Sequence, residues 1–306
     1  MYERFFGLNA RPFDLNPDPR YLVATDIHRE ALSNLEYGIA SRKGITLLVG
    51  EAGTGKTTLI RAAIEKQSAR THCVHLQNPA LTRGEFLRIL AIQFGLSETA
   101  RVWKADFLLE LEHLLRSRHD SGEATVLIVD EAQSLPMDLL DEIRLLTNIE
   151  TASEKLLPLV IAGQPEIAER LNEAPYRQLK QRIALRCELR PLALKETVRY
   201  IAGRIAAVGG SPAQVFTREA VALIHEYSQG IPRTINVLAD NALLSGFATE
   251  QRPVLRQLVH DVSRDFDIGK RKGGIAPAPV PSAPRASHPI SEAEEAMLDA
   301  VVSMRR

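Results

Sequence analysis

The sequence predicts an α/β fold with a parallel sheet covered on both faces, followed by a smaller all-helical domain. Three observations carry that prediction. Short apolar runs rich in β-branched residues alternate with stretches of helical periodicity, a glycine-rich turn GEAGTGKTT at 50–58 directly follows the first run, and beyond Pro191 only helical patterns continue. Continuous apolar strands separated by helices mark a sheet buried on both sides, because a strand with one wet face would alternate.

The expected strands are ITLLVG (45–50), CVHLQ (73–77), TVLIVD (125–130) and LPLVIAG (157–163), with IALRCELR (183–190) as a fifth. Between them HREALSNLEYGIASRK, TRGEFLRILAIQFG and WKADFLLELEHLLRSRH place apolar residues at three and four spacing, and Thr82 and Glu85 stand at capping-box distance. After Pro191 come KETVRYIAGRIAAVG, TREAVALIHEYSQG, PRTINVLADNALLSGFA and PVLRQLVHDVSRDF, each bounded by Gly or Pro, which reads as a small helical bundle. From Gly269 the stretch GKRKGGIAPAPVPSAPRASHP has little to bury and reads as an extended spacer. In SEAEEAMLDAVVSMRR, Ser291 and Glu294 form a candidate capping box, while Ala293, Met297, Ala300, Val301 and Met304 share one face. The expected division is therefore a nucleotide-type α/β domain over 1–192, a helical lid over 193–267, a linker over 268–290 and a short amphipathic helix over 291–306. That last helix is read either as a docking element for a partner or as a weakly helical tail.

Lysine plus arginine equals aspartate plus glutamate at 38 each, so the overall balance steers the chain toward neither nucleic acid nor an anionic membrane. Cys73 and Cys187 lie far apart in apolar surroundings without metal-ligand spacing, as expected of buried thiols in a reducing compartment. The start MYERFFGLNARPF lacks a signal-peptide pattern, and no apolar run approaches the roughly 18 residues of a membrane span, so the expectation is a cytoplasmic protein.

The chemistry begins at residues 50–58, which give GxxxxGK[ST] in full between a strand and a helical pattern. Gly50, Gly53 and Gly55 let the backbone of Gly50, Glu51, Ala52, Gly53, Thr54 and Gly55 wrap phosphate oxygens with its N–H groups. Lys56 supplies a point charge to the β and γ phosphates, Thr57 a hydroxyl for Mg²⁺, and Thr58 sits in the same first turn. In VLIVDEAQ (126–133), Asp130 ends a strand where it would hold the magnesium, and Glu131 follows where it can polarise an attacking water, which favours an ATPase over a nucleotide kinase. Gln164, at the end of the fourth run, either bridges that water and the γ-phosphate or caps the next helix. The stretch YRQLKQRIALRCELRP crowds Arg177, Lys180, Arg182, Arg186 and Arg190, open to three readings: a solvated basic face, a nucleic-acid contact, or an arginine offered to a neighbouring subunit's nucleotide. In GIPRTIN, Pro232 opens a helix, so Arg233 brings a cation into a first turn that already carries positive dipole charge, which asks for an anion.

With these residues placed, the chain resembles the AAA+ ATPases, and within them the ExeA-type family, also called general secretion pathway protein A. The resemblance runs from about residue 1 to 265 through FFGLNARPFDLNPDPRYL, HREAL, GEAGTGKTT, VLIVDEAQ, EIRLLTNIE, IAGQPEI, QLKQRI with LRPL, and GIPRTINVLADNALL. It implies a P-loop NTPase sheet in the order 5-1-4-3-2 with a C-terminal all-α lid. It implies a sensor 1 role for Gln164, a sensor 2 role for Arg233, and an arginine finger at Arg182, with Arg177 as second choice. The segment around His28 and Arg29 looks like the region flanking the adenine base. A homo-oligomer, a hexamer or other ring, with the finger supplied in trans, follows from the same resemblance. Secretion members of that family continue through a membrane span into a peptidoglycan-binding part, and neither is present in these 306 residues. The expectation is thus ATP and Mg²⁺ chemistry in the cytoplasm, peripheral to the inner membrane through a secretion, pilus or export partner. Two rivals remain at this stage: a DNA-binding helper of transposition or replication, supported by the basic stretch and by GKRKGG, and a non-hydrolysing nucleotide switch that scaffolds partners.

Overall fold

The computed structural model describes residues 1–15, 25–42, 44–77 and 81–268. The elements run α1 (Tyr2–Phe6), α2 (Asp26–Ala40), β1 (Ile45–Gly50), α3 (Lys56–Glu65), β2 (Thr71–Leu76), α4 (Arg83–Phe94), α5 (Lys104–Asp120), β3 (Ala124–Val129), α6 (Met137–Leu146), β4 (Leu159–Gly163), α7 (Pro165–Arg170), α8 (Arg177–Lys180), β5 (Ile183–Leu189), α9 (Leu194–Ala207), α10 (Pro212–Val215), α11 (Arg218–Ser228), α12 (Pro232–Ala248) and α13 (Arg256–Asp265). They divide into two compact units, one spanning Pro17–Arg190 and the other joining Met1–Asn16 to the chain from Pro191 onward. The proline-rich spacer from 269 and the amphipathic pattern at 291–306 lie outside the described residues.

The first unit is a five-stranded sheet in the order β2-β3-β4-β1-β5, every paired neighbour parallel. This is the predicted 5-1-4-3-2 arrangement. All six residues of β1 are buried, and the strand period of two sends them to opposite layers. Ile45, Leu47 and Val49 join a core with Leu127, Val129, Leu159 and Ile161 beneath Phe86, Leu90, Phe107, Leu111 and Ile143 of α4, α5 and α6. Leu48 joins Val126, Ile128, Val160 and Ala162 beneath Leu32 and Leu35 of α2 and Leu59 and Ile60 of α3. The expected fifth run is β5, an edge strand whose even-numbered residues are exposed. The capping box forms as its spacing foretold: Thr82 N–H donates to Glu85 Oε2 at 2.9 Å, and Glu85 N–H to Thr82 Oγ1 at 3.4 Å.

The second unit corrects the expected division. The N-terminal segment was assigned to the sheet domain, but it plugs the helical bundle. Tyr2, Phe6, Leu8 and Phe13 are buried, Phe5 meets Phe247 edge-on at 5.7 Å, and Phe13 meets Phe216 at 6.1 Å. The Tyr2 hydroxyl donates to Asp240 on α12, and Arg252 donates to the Phe5 carbonyl at 2.9 Å. The physical reason is that α1 is too short to be stable alone and needs an apolar groove for its aromatics. Within the same unit, Gly230 has φ +73°, and a Cβ there would lie 2.0 Å from the Leu192 carbonyl oxygen. Leu192 N–H donates to Gly230 O at 2.8 Å. Only glycine fits that approach, so the LRPL and GIPR stretches are fastened together, and Pro232 then opens α12 with Arg233 exposed in its first turn.

Candidate nucleotide-binding site

The site grows from the C-terminal end of β1. The loop from Glu51 turns through Gly53 at φ +82° and Gly55 at φ +101° into α3, whose first turn has no side-chain cap. Uncapped N–H groups at a helix start favour an anion. Lys56 is buried, 5% exposed, and its Nζ donates to the carbonyls of Gly50 at 2.7 Å and Glu51 at 3.1 Å. An ammonium carries three hydrogens, so one remains for a ligand. Burial pulls the Lys56 pKa down, and the carboxylates of Glu131, Asp130, Glu51 and Glu166 oppose that shift by favouring its charged form. The lysine thus faces a cluster of acids at the sheet's C-terminal edge.

Asp130, 2% exposed, follows β3 and accepts from the Thr57 hydroxyl at Oδ2, 2.7 Å, and from the Glu131 N–H at Oδ1, 2.9 Å. A hydroxyl beside a buried carboxylate is an all-oxygen donor pair. Such a pair fits Mg²⁺, which keeps waters and substrate phosphates in its shell. Glu131 sits at φ +53°, a left-handed conformation uncommon for glutamate and of the kind concentrated at functional sites. Its carboxylate accepts at Oε2 from Gln133 Nε2 at 2.5 Å.

Gln164 stands at the end of β4 as the N-cap residue of α7, but its side chain does not cap the helix. That side chain has no hydrogen-bond partner among the described residues. Its main-chain N–H donates to Gln133 Oε1 at 3.0 Å. Arg182 lies at the other end of the sheet: its carbonyl accepts from Ile45 N–H, at the start of β1, at 3.2 Å, and its guanidinium donates to Thr147. The length of β1, about 17 Å at 3.3 Å per residue, separates it from the phosphate loop that follows Gly50. Arg177 is exposed and has no partner among the described residues. The other cations of the stretch are engaged, Lys180 with Asn172 at 2.7 Å and Arg186 and Arg190 with Glu188 at 4.0 and 3.7 Å. Arg233 also lacks a hydrogen-bond or ion-pair partner among the described residues.

Two further side chains pack against the candidate site, one of them in the segment that the resemblance places beside the adenine base. Gln133 was visible only as the last letter of DEAQ. His28 is buried on α2, with Nδ1 at 2.7 Å from the Thr25 hydroxyl and Nε2 at 3.3 Å from the Thr54 carbonyl. A carbonyl only accepts, so Nε2 carries the proton and the imidazole braces the loop. Arg29, beside it, is exposed and pairs with Asp26.

An AAA domain matches residues 39–171. Over 280 residues the chain is 38% identical to general secretion pathway protein A of Aeromonas hydrophila, covering 90% of this chain and 51% of that protein. The chain thus contains an AAA domain and is similar to general secretion pathway protein A over most of its own length. It spans about half the length of that curated relative. Among solved structures, the ORC2 protein of Aeropyrum pernix, in ADPNP and ADP complexes, aligns over 84% of this chain and 72% of its own with a TM-score of 0.62 and 17% identity. An R170A form of RuvB from Thermotoga maritima aligns over 78% and 68%, with a TM-score of 0.54 and 18% identity. At such identities these likenesses speak for the fold alone. Among the described residues, no helix is long and apolar enough to cross a membrane.

Proposed function

We propose that this chain is a Mg²⁺-dependent ATPase that works as a homo-oligomer, in the cytoplasm, and powers assembly or remodelling of a secretion, pilus or exopolysaccharide-export system. One observation carries the enzymatic part: buried Lys56 on the loop carbonyls, the Thr57–Asp130 pair and the left-handed Glu131 all converge at the end of β1 and β3. The secretion role rests on the relative from Aeromonas hydrophila, and a partner would hold the protein at the inner membrane.

In this reading the loop N–H groups from Glu51 to Thr58 and Lys56 bind the β and γ phosphates of ATP, and Thr57 with Asp130 hold Mg²⁺. The metal, when bound, neutralises phosphate charge as it develops. Glu131, with Oε2 held by Gln133, presents Oε1 to a water and takes its proton as the oxygen attacks the γ-phosphorus and the bond to ADP breaks. The unengaged amide of Gln164 contacts that water and the γ-phosphate, and Arg233 keeps the sensor 2 role that the resemblance implies. Arg182 is too far along the sheet to serve its own nucleotide, so an arginine from Arg177–Arg182 acts on a neighbour's.

The shared site is tested by mixing. Arg182→Ala and Arg177→Ala are each assayed alone and with a Lys56→Ala subunit that keeps both arginines. Loss of the true finger lowers turnover by about 10³- to 10⁵-fold, and mixing restores part of it. No rescue for either variant at any ratio contradicts a shared site. Turnover stimulated by duplex DNA in a salt-sensitive manner would replace the secretion reading with the DNA-helper one.

A further inference from the structure

We infer that Gln133 is the positioning residue that aims the water-activating carboxylate and ties it to the end of β4. The inference rests on Glu131 as the group that activates water.

Glu131 follows β3 in a left-handed conformation, and no regular element continues from it; a three-residue helical turn, Ala132–Ser134, comes next. A half-buried glutamate at such a corner has several rotamers open to it, and a general base must be held in one. Gln133 provides that restraint with both ends of its amide. Nε2 donates to Glu131 Oε2 at 2.5 Å, and Oε1 accepts from the Gln164 main-chain N–H at 3.0 Å. The amide orientation is fixed by those partners, because a carboxylate accepts only and a backbone N–H donates only.

The rest of the surroundings hold Gln133 in turn. Its main-chain carbonyl accepts from Arg170 Nη1 at 3.0 Å, and Arg170 Nη2 donates to the Tyr176 hydroxyl at 3.0 Å. Gly163 leaves room for the amide: a Cβ there would lie 2.9 Å from Gln133 Oε1. A connected chain therefore runs from Glu131 through Gln133 to the end of β4, and through Arg170 to Tyr176, the residue preceding Arg177. The bond from Gln164 comes from its backbone, so it survives whatever ligand the Gln164 side chain takes. A shift of the β4 end moves the N–H donor that holds Gln133, and Gln133 moves Glu131.

The test separates hydrogen bonding from packing. Gln133→Met keeps length and volume but can neither donate to Glu131 nor accept as an amide does, and Gln133→Ala removes both. Steady-state turnover and ATP affinity are measured for both variants in the full chain, alongside Glu131→Gln, with thermal melts to show that each folds. The expected result is a loss of about 10- to 100-fold in kcat for both Gln133 variants, with ATP affinity within about twofold of wild type. Wild-type kcat in Gln133→Met means the glutamine only fills space and overturns the inference, and so does a loss confined to ATP affinity. Wild-type turnover in Glu131→Gln removes instead the reading on which the inference rests, whatever the Gln133 variants do.

Discussion

Glu131→Gln binds ATP at least as tightly as wild type and turns it over about 10²- to 10⁴-fold more slowly. The amide is nearly isosteric and still accepts from Gln133 at the position of Oε2, so the corner at φ +53° keeps its tether. What is lost is the ability to take a proton from water. Affinity holds or rises because a negative charge is removed from beside the bound phosphates. Fluorescent-ATP titration and phosphate release on the same preparation check both halves. Parallel losses of binding and turnover would place Glu131 in the binding apparatus, and undiminished turnover would remove it from the chemistry.

Lys56→Ala produces the complementary result. The ammonium is the buried donor to the Gly50 and Glu51 carbonyls and the cation facing the acid cluster. Its loss removes charge-assisted contacts of about 1.5 to 3 kcal/mol, so ATP affinity falls about 10- to 100-fold. Ligand binding to the folded state raises the melting temperature in proportion to ln(1 + [L]/Kd). Wild type is therefore stabilised by ATP in a thermal melt, and Lys56→Ala loses that shift at ATP concentrations that saturate wild type. An unchanged ATP-dependent shift would mean that the phosphates are bound elsewhere.

The two variants divide the site along a line already visible in the sequence. The phosphate loop and the acidic pair were legible because each is local: a strand, a turn and a helix start within a dozen residues, or an aspartate closing an apolar run. The sheet order was implied by resemblance, and β1, buried at all six residues and facing a core on each side, suits the interior place that order gives it. What was not legible depends on partners distant in sequence. Gln133 is two residues from Glu131, yet its role requires the N–H of Gln164, 31 residues on. His28 braces the loop through Thr54, 26 residues away. The N-terminal aromatics gave no local sign that Phe216, Asp240 and Phe247 would receive them, so the segment was placed in the wrong unit.

Arg182 and Arg233 show the same limit from the other side. Position in the sequence marked Arg233 as a cation in want of an anion and left Arg182 in a basic stretch open to three readings. For Arg182 the register of β5 against β1 supplies the decisive fact, because it puts the residue at the strand start, away from its own phosphate loop. For Arg233 the close approach of Gly230 to Leu192 explains why a glycine and a proline precede it, and its lack of a partner among the described residues leaves its charge available.

The central claim, that this site hydrolyses ATP with Mg²⁺, is met most directly by single-turnover phosphate release with protein in excess over ATP, with magnesium and with a chelator. The account predicts release of the γ-phosphate with magnesium and bound but intact ATP with chelator. ATP bound in the presence of magnesium and left intact by the assembled wild-type protein would contradict it, and would make this chain a nucleotide switch.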